Sequence, residues 1–188
     1  MAVDLKRRRF NVDEYEQMGR AGILGEDDRV ELLDGEIVEM TPIGRRHASC
    51  VARLTQQFAA LALKRTAVIW VQNPVRLGKH SEPQPDFVLL RPRPDLYAST
   101  DPTPADVLLL VEVADTSIES DRRVKVPLYA RGGIPEVWLV DLNQDTVTAY
   151  RDPRRGGYRT AHVVRRGDEL APSAFPDRAI PIVDLLPE

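Results

Sequence analysis

The run VLLLVEV at 107–113 limits the possible folds of this chain more than any other segment. Its first five residues are apolar and do not alternate with polar ones. A strand with one face in solvent alternates between apolar and polar side chains, whereas a strand covered on both faces is apolar throughout. The run therefore predicts a strand that is buried on both faces at the centre of a sheet.

The segments around this run predict the other elements of an α/β domain. Asn11 and Glu14 form a capping-box pattern for a helix over 12–18, and Asp34 and Gly35 predict the turn of a hairpin within 30–40. A helix over about 45–64 carries an apolar stripe, and a proline-rich loop follows at 91–104. Strands are predicted at 67–71, 74–77, 87–90, 107–113, 137–140 and 147–150, with further strands near 158–164 and 180–183.

Length and composition restrict the class of protein. The 188 residues predict one domain over 1–188, with a core at about 28–150 and C-terminal strands within 158–184. The single Cys50 excludes an internal disulfide framework and a cysteine-rich zinc site. No apolar run approaches the roughly 18 residues that a membrane helix needs. We therefore expect a cytoplasmic protein without a membrane partner.

Two acids lie at the ends of successive apolar runs. Asp86 starts the run at 86–90, and Glu112 lies near the end of the run at 107–113. If these runs pair as antiparallel strands, both carboxylates reach the same end of the sheet. Two close carboxylates in apolar surroundings repel each other, so one takes up a proton or a cation lies between them. Oxygen ligands favour Mg²⁺ or Mn²⁺, which makes the pair a candidate metal site.

Each acid also has a simpler interpretation as an exposed residue at a strand end, the usual location of a lone Asp or Glu. Glu112 argues against this, because it interrupts an apolar strand and a charge at such a position is rarely left without a partner. The pair therefore favours the metal site.

The segment DTSIESDRRVKVPLYARGG at 115–133 predicts a short helix after the Glu112 strand. Ser117 or Ser120 is its expected cap, and the two glycines at 132 and 133 end it. Pro127 removes a helical hydrogen bond, so the alternative is a loose turn followed by a helix that begins near Pro127.

Lys125 has two interpretations within this segment. Asp121, Lys125 and Tyr129 follow one another at four-residue spacing, which places them on one stripe of a helix. Lys125 then either forms a surface ion pair with Asp121 or projects back toward Asp86 and Glu112.

The chain resembles the Uma2 family, a group within the PD-(D/E)XK, or restriction-endonuclease-like, nuclease superfamily. The matching segments, in family order, are VELLDGEIVEM at 30–40, His47, PD at 85–86, VEVAD at 111–115 and DRRVKVPLYARGGIPEVWLVD at 121–141. The resemblance implies a restriction-endonuclease-like core, a mixed β-sheet flanked by helices, with an N-terminal helix and a β-hairpin added. It also implies a Mg²⁺- or Mn²⁺-dependent endonuclease that hydrolyses phosphodiester bonds in DNA.

The resemblance also implies roles for individual residues. Asp86 and Glu112 match the acids that bind the metal together with the carbonyl of Val113, and Lys125 matches the catalytic lysine. The superfamily pattern places its lysine two residues after the second acid, where this chain has Ala114. The lysine has therefore moved to the following helix.

Three further residues are accessory candidates. Glu31 alternates with apolar neighbours, which favours a solvent-facing strand residue, but its family position implies an acid that binds a second ion or orients water. From its position near the start of the long helix, His47 is a helix cap or a packed residue. The resemblance implies instead that it contacts a phosphate or supports the residues that bind the metal. Arg122 neighbours Lys125 and would flank the site.

The net charge of the chain leaves functions other than DNA cleavage possible. A net charge of −3 and a pI near 5.7 give no overall basic field for nucleic acid. DNA as a partner therefore requires a locally positive cleft, and a double-strand cut requires a homodimer or higher homo-oligomer. One alternative is a catalytically inactive nuclease-fold module that binds DNA or protein, which Ala114 favours. Another is a structural or interaction protein in which Trp138, Tyr129 and the acidic surface serve assembly.

Overall fold

A mixed six-stranded sheet forms the centre of the molecule. The structure is a computed structural model that describes residues 7–25 and 27–187. The strands are β3 (Val68–Val71), β4 (Phe87–Leu90), β5 (Val107–Ala114), β6 (Glu136–Asp141), β7 (Thr146–Arg154) and β8 (Gly157–Arg165), in this spatial order. Only β5 and β6 pair in parallel, because the chain crosses the sheet between them through a helical segment.

The central strand β5 is buried on both faces, as its continuous apolar run predicts. Leu109 and Val111 belong to one hydrophobic core, whereas Leu110 and Ala114 belong to the other. Successive side chains of a strand point to opposite faces, so one run of sequence supplies both cores.

One core lies beneath the long helix α2 (Arg45–Leu63), whose apolar stripe includes Leu54 and Phe58. This helix and its stripe agree with the prediction to within a residue. The other core lies beneath the short helix α4 (Val126–Gly132), which contributes Val126 and Tyr129. Helices therefore cover both faces of the sheet.

The N-terminal elements pack beside this core. Helix α1 (Val12–Arg20) begins with the predicted capping box of Asn11 and Glu14. Strands β1 (Val30–Leu33) and β2 (Glu36–Glu39) form the predicted hairpin. Its turn has positive φ angles of 48° at Asp34 and 83° at Gly35, the backbone that a two-residue hairpin turn requires.

The segment between β5 and β6 is helical from Ile118 to Gly132, so the loose turn ahead of Pro127 is not formed. It comprises α3 (Ile118–Ser120), a π-helical turn (Asp121–Lys125) and α4. The N–H of Val126 bonds to the carbonyl of Asp121, five residues earlier. Because Pro127 cannot donate a hydrogen bond, the widened π turn lets the helix continue past it.

Two of the predicted strands differ in the structure. Residues 74–77 are irregular, because Val75 and Leu77 donate to Pro83 and Ser81 within a local loop instead of joining the sheet. In the segment 180–183, only β10 (Ile180–Pro181) is a strand, paired with β9 (Glu169–Leu170), and the helix α5 (Ile182–Leu185) follows. Within the described residues, none of the helices has the length and apolar character of a membrane span.

Candidate active site

A cleft of about 410 Å³ opens beside the C-terminal end of β5. The hairpin, the start of α2 and the segment after β5 form its walls. Among its lining residues are Glu31, His47, Asp86, Glu112, Val113 and Lys125. The structure therefore brings together all the site residues that were predicted from the sequence except Arg122.

Asp86 and Glu112 are neighbours on adjacent strands, as predicted. Strands β4 and β5 pair antiparallel with Phe87 opposite Val111, so the next pair in register is Asp86 and Glu112. The N–H of Val113 donates to the Asp86 carboxylate at 2.8 Å. This bond fixes Asp86 against β5 and keeps its carboxylate at the end of the sheet where Glu112 lies.

Glu112 is a buried acid, with 2% of its surface exposed. Its Oε1 accepts a hydrogen bond from the Tyr129 hydroxyl and lies 3.3 Å from the ammonium of Lys125. Burial raises the pKa of Glu112 well above its ordinary value; Lys125 opposes the shift, and Asp86 adds to it. Glu112 therefore needs a proton or a cation more than an exposed acid does.

Lys125 lies inside the cleft wall and not on the surface. Its ammonium is 3.0 Å from Glu31 and 3.3 Å from Glu112, and its side chain is 10% exposed. Burial lowers the pKa of Lys125, but Glu112 and Glu31 outweigh this, so the net shift is upward and the ammonium stays charged. The interpretation of Lys125 as a surface partner of Asp121 is wrong, because Asp121 is itself buried.

Glu31 corrects the expectation of a solvent-facing strand residue. Only 4% of its surface is exposed, and its Oε2 accepts the N–H of Gln84 at 3.1 Å. The hairpin pairs with the segment before β4 through a bridge between Leu32 and Glu82, and the Glu31 carboxylate meets Gln84 and the Lys125 ammonium instead of solvent. Glu31 and Glu112 thus hold the Lys125 ammonium from two sides.

His47 contacts Asp86 and is not the helix cap, which is Gly44. Its Nε2 lies 2.9 Å from Oδ1 of Asp86, while its Nδ1 is buried without a hydrogen-bond partner among the described residues. A bare Nδ1 lone pair costs less than an unpaired N–H, which favours the tautomer with the hydrogen on Nε2. His47 then donates to Asp86 and orients it.

Arg122 does not reach the cleft. Its guanidinium lies 3.9 Å from Glu119 and is exposed, and Arg123 pairs with the same acid at 2.9 Å. In the π-helical turn Asp121–Lys125 the two end residues are buried, and Arg122 lies on the exposed side between them. The expectation that Arg122 flanks the site is wrong for this arrangement.

Tyr129 and Asp121 are site residues that the sequence interpretation missed. Tyr129 is fully buried beside Glu112. Asp121 lines the cleft and accepts the Ser117 hydroxyl at 2.6 Å, and burial raises its pKa. Their four-residue spacing around Lys125 was the available signal. Asp141, in contrast, accepts two backbone N–H groups at 3.0 Å and caps a turn.

A six-stranded mixed sheet flanked by helices, with acids on two paired strands and a lysine on the next helix, defines an α/β domain of the restriction-endonuclease-like class. Comparison with known families identifies the family within this class. The chain belongs to the Uma2 family, described as "Putative restriction endonuclease", whose model matches residues 12–183. This confirms the resemblance found in the sequence.

The fold also matches a solved structure. This is the crystal structure of a putative nuclease belonging to DUF820 from Anabaena variabilis ATCC 29413, with a TM-score of 0.74. The match covers 94% of this chain and 97% of that chain at 16% sequence identity, so it concerns the fold alone. No curated protein matches the chain by sequence.

Proposed function

We propose that this protein is a metal-dependent DNA endonuclease and that Asp86, Glu112 and Lys125 form its catalytic centre. The family and the fold support a nuclease in general terms. The observation that carries the proposal is the buried cluster in which Glu31 and Glu112 hold the Lys125 ammonium, with Asp86 opposite Glu112 across the paired strands. Surface acids of an ordinary domain do not form such a cluster, because burying three charges is costly.

The donor atoms in the cleft fit a hard divalent ion. Asp86 and Glu112 offer carboxylate oxygens at neighbouring positions of two paired strands, and both residues line the cleft. Asp86, Glu112 and the carbonyl of Val113 would hold the ion, and oxygen ligands favour Mg²⁺ or Mn²⁺. When bound, such an ion supplies a water of lowered pKa and positive charge beside the phosphoryl oxygen.

The chain's own residues position the reacting groups. Lys125 remains an ammonium and offsets the negative charge that develops on the phosphoryl oxygens. Glu31 keeps Lys125 at this place, and Tyr129 and His47 orient Glu112 and Asp86 by donating hydrogen bonds to them. Each of these groups is buried or nearly so, which fixes the geometry before a substrate enters.

The proposal also includes the oligomeric state of the protein. A cut in both strands of DNA requires two active sites, and a protomer with a net charge of −3 lacks an overall basic surface. A homodimer or higher symmetric oligomer would supply the second site and a larger binding surface.

Plasmid cleavage tests the activity. We expect supercoiled plasmid to be nicked or linearised in manganese or magnesium but not in EDTA. Glu112→Gln should abolish the cleavage, whereas the same substitution at the exposed Glu169 should leave it unchanged. Cleavage by Glu112→Gln at the wild-type rate would contradict the proposed centre.

A catalytically inactive binding module is the second candidate function. The observation that favours it is Ala114, which is fully buried at the superfamily's lysine position. Such a module would bind manganese in calorimetry, and would bind DNA or a protein partner, without cutting DNA. The third interpretation, assembly through Trp138, Tyr129 and the acidic surface, cannot use the two aromatic side chains, because both are fully buried.

A further inference from the structure

A second cluster of acids lies outside the cleft. Glu16 in α1, Glu82 ahead of β4 and Asp101 in the proline-rich loop each offer a carboxylate oxygen, and these atoms all lie within 4.8 Å of one another. None of the three lines the candidate active site. The cluster therefore joins three segments that are distant in sequence at a place that the proposed nuclease mechanism does not use.

Glu82 is the member that points to a ligand. It is 7% exposed, and within the described part of the chain its carboxylate has no hydrogen bond and no ion pair. Burial, with smaller contributions from Asp101 and Glu16, raises the pKa of Glu82 to about 7, although Arg76 opposes the shift. A buried ionised acid without a partner is costly, so this carboxylate takes up a proton or binds a cation.

Backbone hydrogen bonds hold the three segments in place without any ion. The N–H of Val12 donates to Lys79 at 2.9 Å, which ties α1 to the loop before Glu82. The N–H of Arg76 donates to Pro102 at 2.9 Å, which ties the same loop to the segment that carries Asp101. The cluster is therefore preformed, and ligand binding does not need to order it.

The charges around the cluster do not balance. Arg76 bonds to Asp13 at 2.7 Å and approaches Glu16 at 3.8 Å, and Arg20 bonds to Glu16 at 2.6 Å. Four acids thus face two guanidinium groups, which leaves two negative charges. The acids are Asp13, Glu16, Glu82 and Asp101.

We propose that Glu16, Glu82 and Asp101 form a second binding site for one hard divalent cation, with Ca²⁺ favoured. Oxygen-only ligands select hard ions, and Ca²⁺ accepts an irregular set of carboxylates more readily than Mg²⁺ does. A doubly charged ion neutralises the two uncompensated acids. The bound ion clamps α1 and the proline-rich loop to the segment before β4 and stabilises the N-terminal part of the fold.

Thermal melts and calorimetry with CaCl₂ test this site. The full-length Asp86→Asn variant serves as the parent, so that binding in the candidate active-site cleft does not contribute. We expect millimolar Ca²⁺ to raise its melting temperature by several degrees and calorimetry to show one bound ion. Adding Glu82→Gln should abolish both effects, and adding Asp101→Asn, which leaves the buried residue intact, should weaken binding about tenfold or more.

The matched control is Asp177→Asn in the same parent, which removes an exposed acid elsewhere and should leave the Ca²⁺ response unchanged. Glu82→Gln is close in shape to glutamate and removes a buried charge, so without Ca²⁺ it should melt at or above the parent temperature. The site is refuted if the parent does not respond to Ca²⁺, or if Glu82→Gln responds as the parent does. Either result is independent of DNA cleavage and so leaves the proposed nuclease function untouched.

Discussion

Replacing Lys125 by methionine removes the ammonium while nearly keeping the length of the side chain. The two acids that it contacts, Glu31 and Glu112, have side chains that are 4% and 3% exposed. Removing one partner of a buried ion pair costs about 3–5 kcal/mol, whereas an exposed pair is worth under about 1 kcal/mol. We therefore expect the free energy of unfolding of Lys125→Met to fall by about 3–5 kcal/mol at pH 8.

The loss should depend on pH in a defined direction. Burial raises the pKa of Glu112 above its ordinary value of 4.5, and losing Lys125 raises it further. Between the pKa of Glu112 in the native wild type and its higher pKa in the native variant, the variant holds a proton that the wild type has lost. The stability of the variant therefore falls relative to the wild type as the pH rises through this range. The raised pKa of Lys125 in the wild type adds the same amount to the free energy of unfolding at every pH from 5 to 8, because lysine is protonated in the folded and the unfolded state throughout this range. The deficit should therefore be smaller at pH 5 than at pH 8.

Urea denaturation followed by circular dichroism measures both effects. Wild type, Lys125→Met and the exposed control Lys79→Met are compared at pH 5 and pH 8. For a chain of this size, a loss of about 3–5 kcal/mol also lowers the melting temperature by roughly 10 °C. A loss at pH 8 no larger than that of Lys79→Met would refute the buried ion cluster, and so would a deficit that shrinks as the pH rises.

Three further outcomes are expected. In a Glu82→Gln background, Asp86→Asn and Glu112→Gln each abolish manganese binding by calorimetry, and unchanged manganese affinity in both would contradict the metal site. Glu112→Gln melts at or above its parent, because it relieves the repulsion between close carboxylates while Lys125 keeps its ion pair with Glu31. Tyr129→Phe removes the hydroxyl that orients Glu112, so manganese affinity falls about 10- to 100-fold while the fold persists, as near-ultraviolet dichroism can verify. Light scattering should give the mass of a dimer or larger symmetric assembly, and a monomer at the cleavage concentration would count against cutting of both strands.

The parts of the fold that local pattern determines were predictable from sequence. The unbroken apolar run in β5, the stripe on α2 and the turn at Asp34 and Gly35 each express a fixed periodicity or a backbone requirement. The neighbouring positions of Asp86 and Glu112 followed from one assumption, that their strands pair antiparallel. Residues 74–77 were mispredicted as a strand because an alternating pattern cannot show that the chain turns back on itself there.

The parts that depend on tertiary packing were not predictable. Glu31 has the alternation of an exposed strand residue, and it is buried because the hairpin packs against a segment some 50 residues later and because Lys125 contacts its carboxylate. The contact between His47 and Asp86 joins a helix to a strand end, and sequence spacing carries no information about it. Arg122 was expected at the site because it neighbours Lys125, but the helix turns it toward solvent.

The π-helical turn has a consequence for how this centre responds to change. The acids belong to the rigid sheet, whereas the lysine belongs to a helix whose rotational phase is set by one extra residue per turn just before Pro127. A substitution that restores a regular helix, such as one at Pro127, would rotate the ammonium away from Glu31 and Glu112 without changing any cleft residue. The position of Lys125 relative to Glu112 thus depends on how the helix packs on the sheet. Mutations in that packing contact would displace the ammonium although they lie outside the cleft.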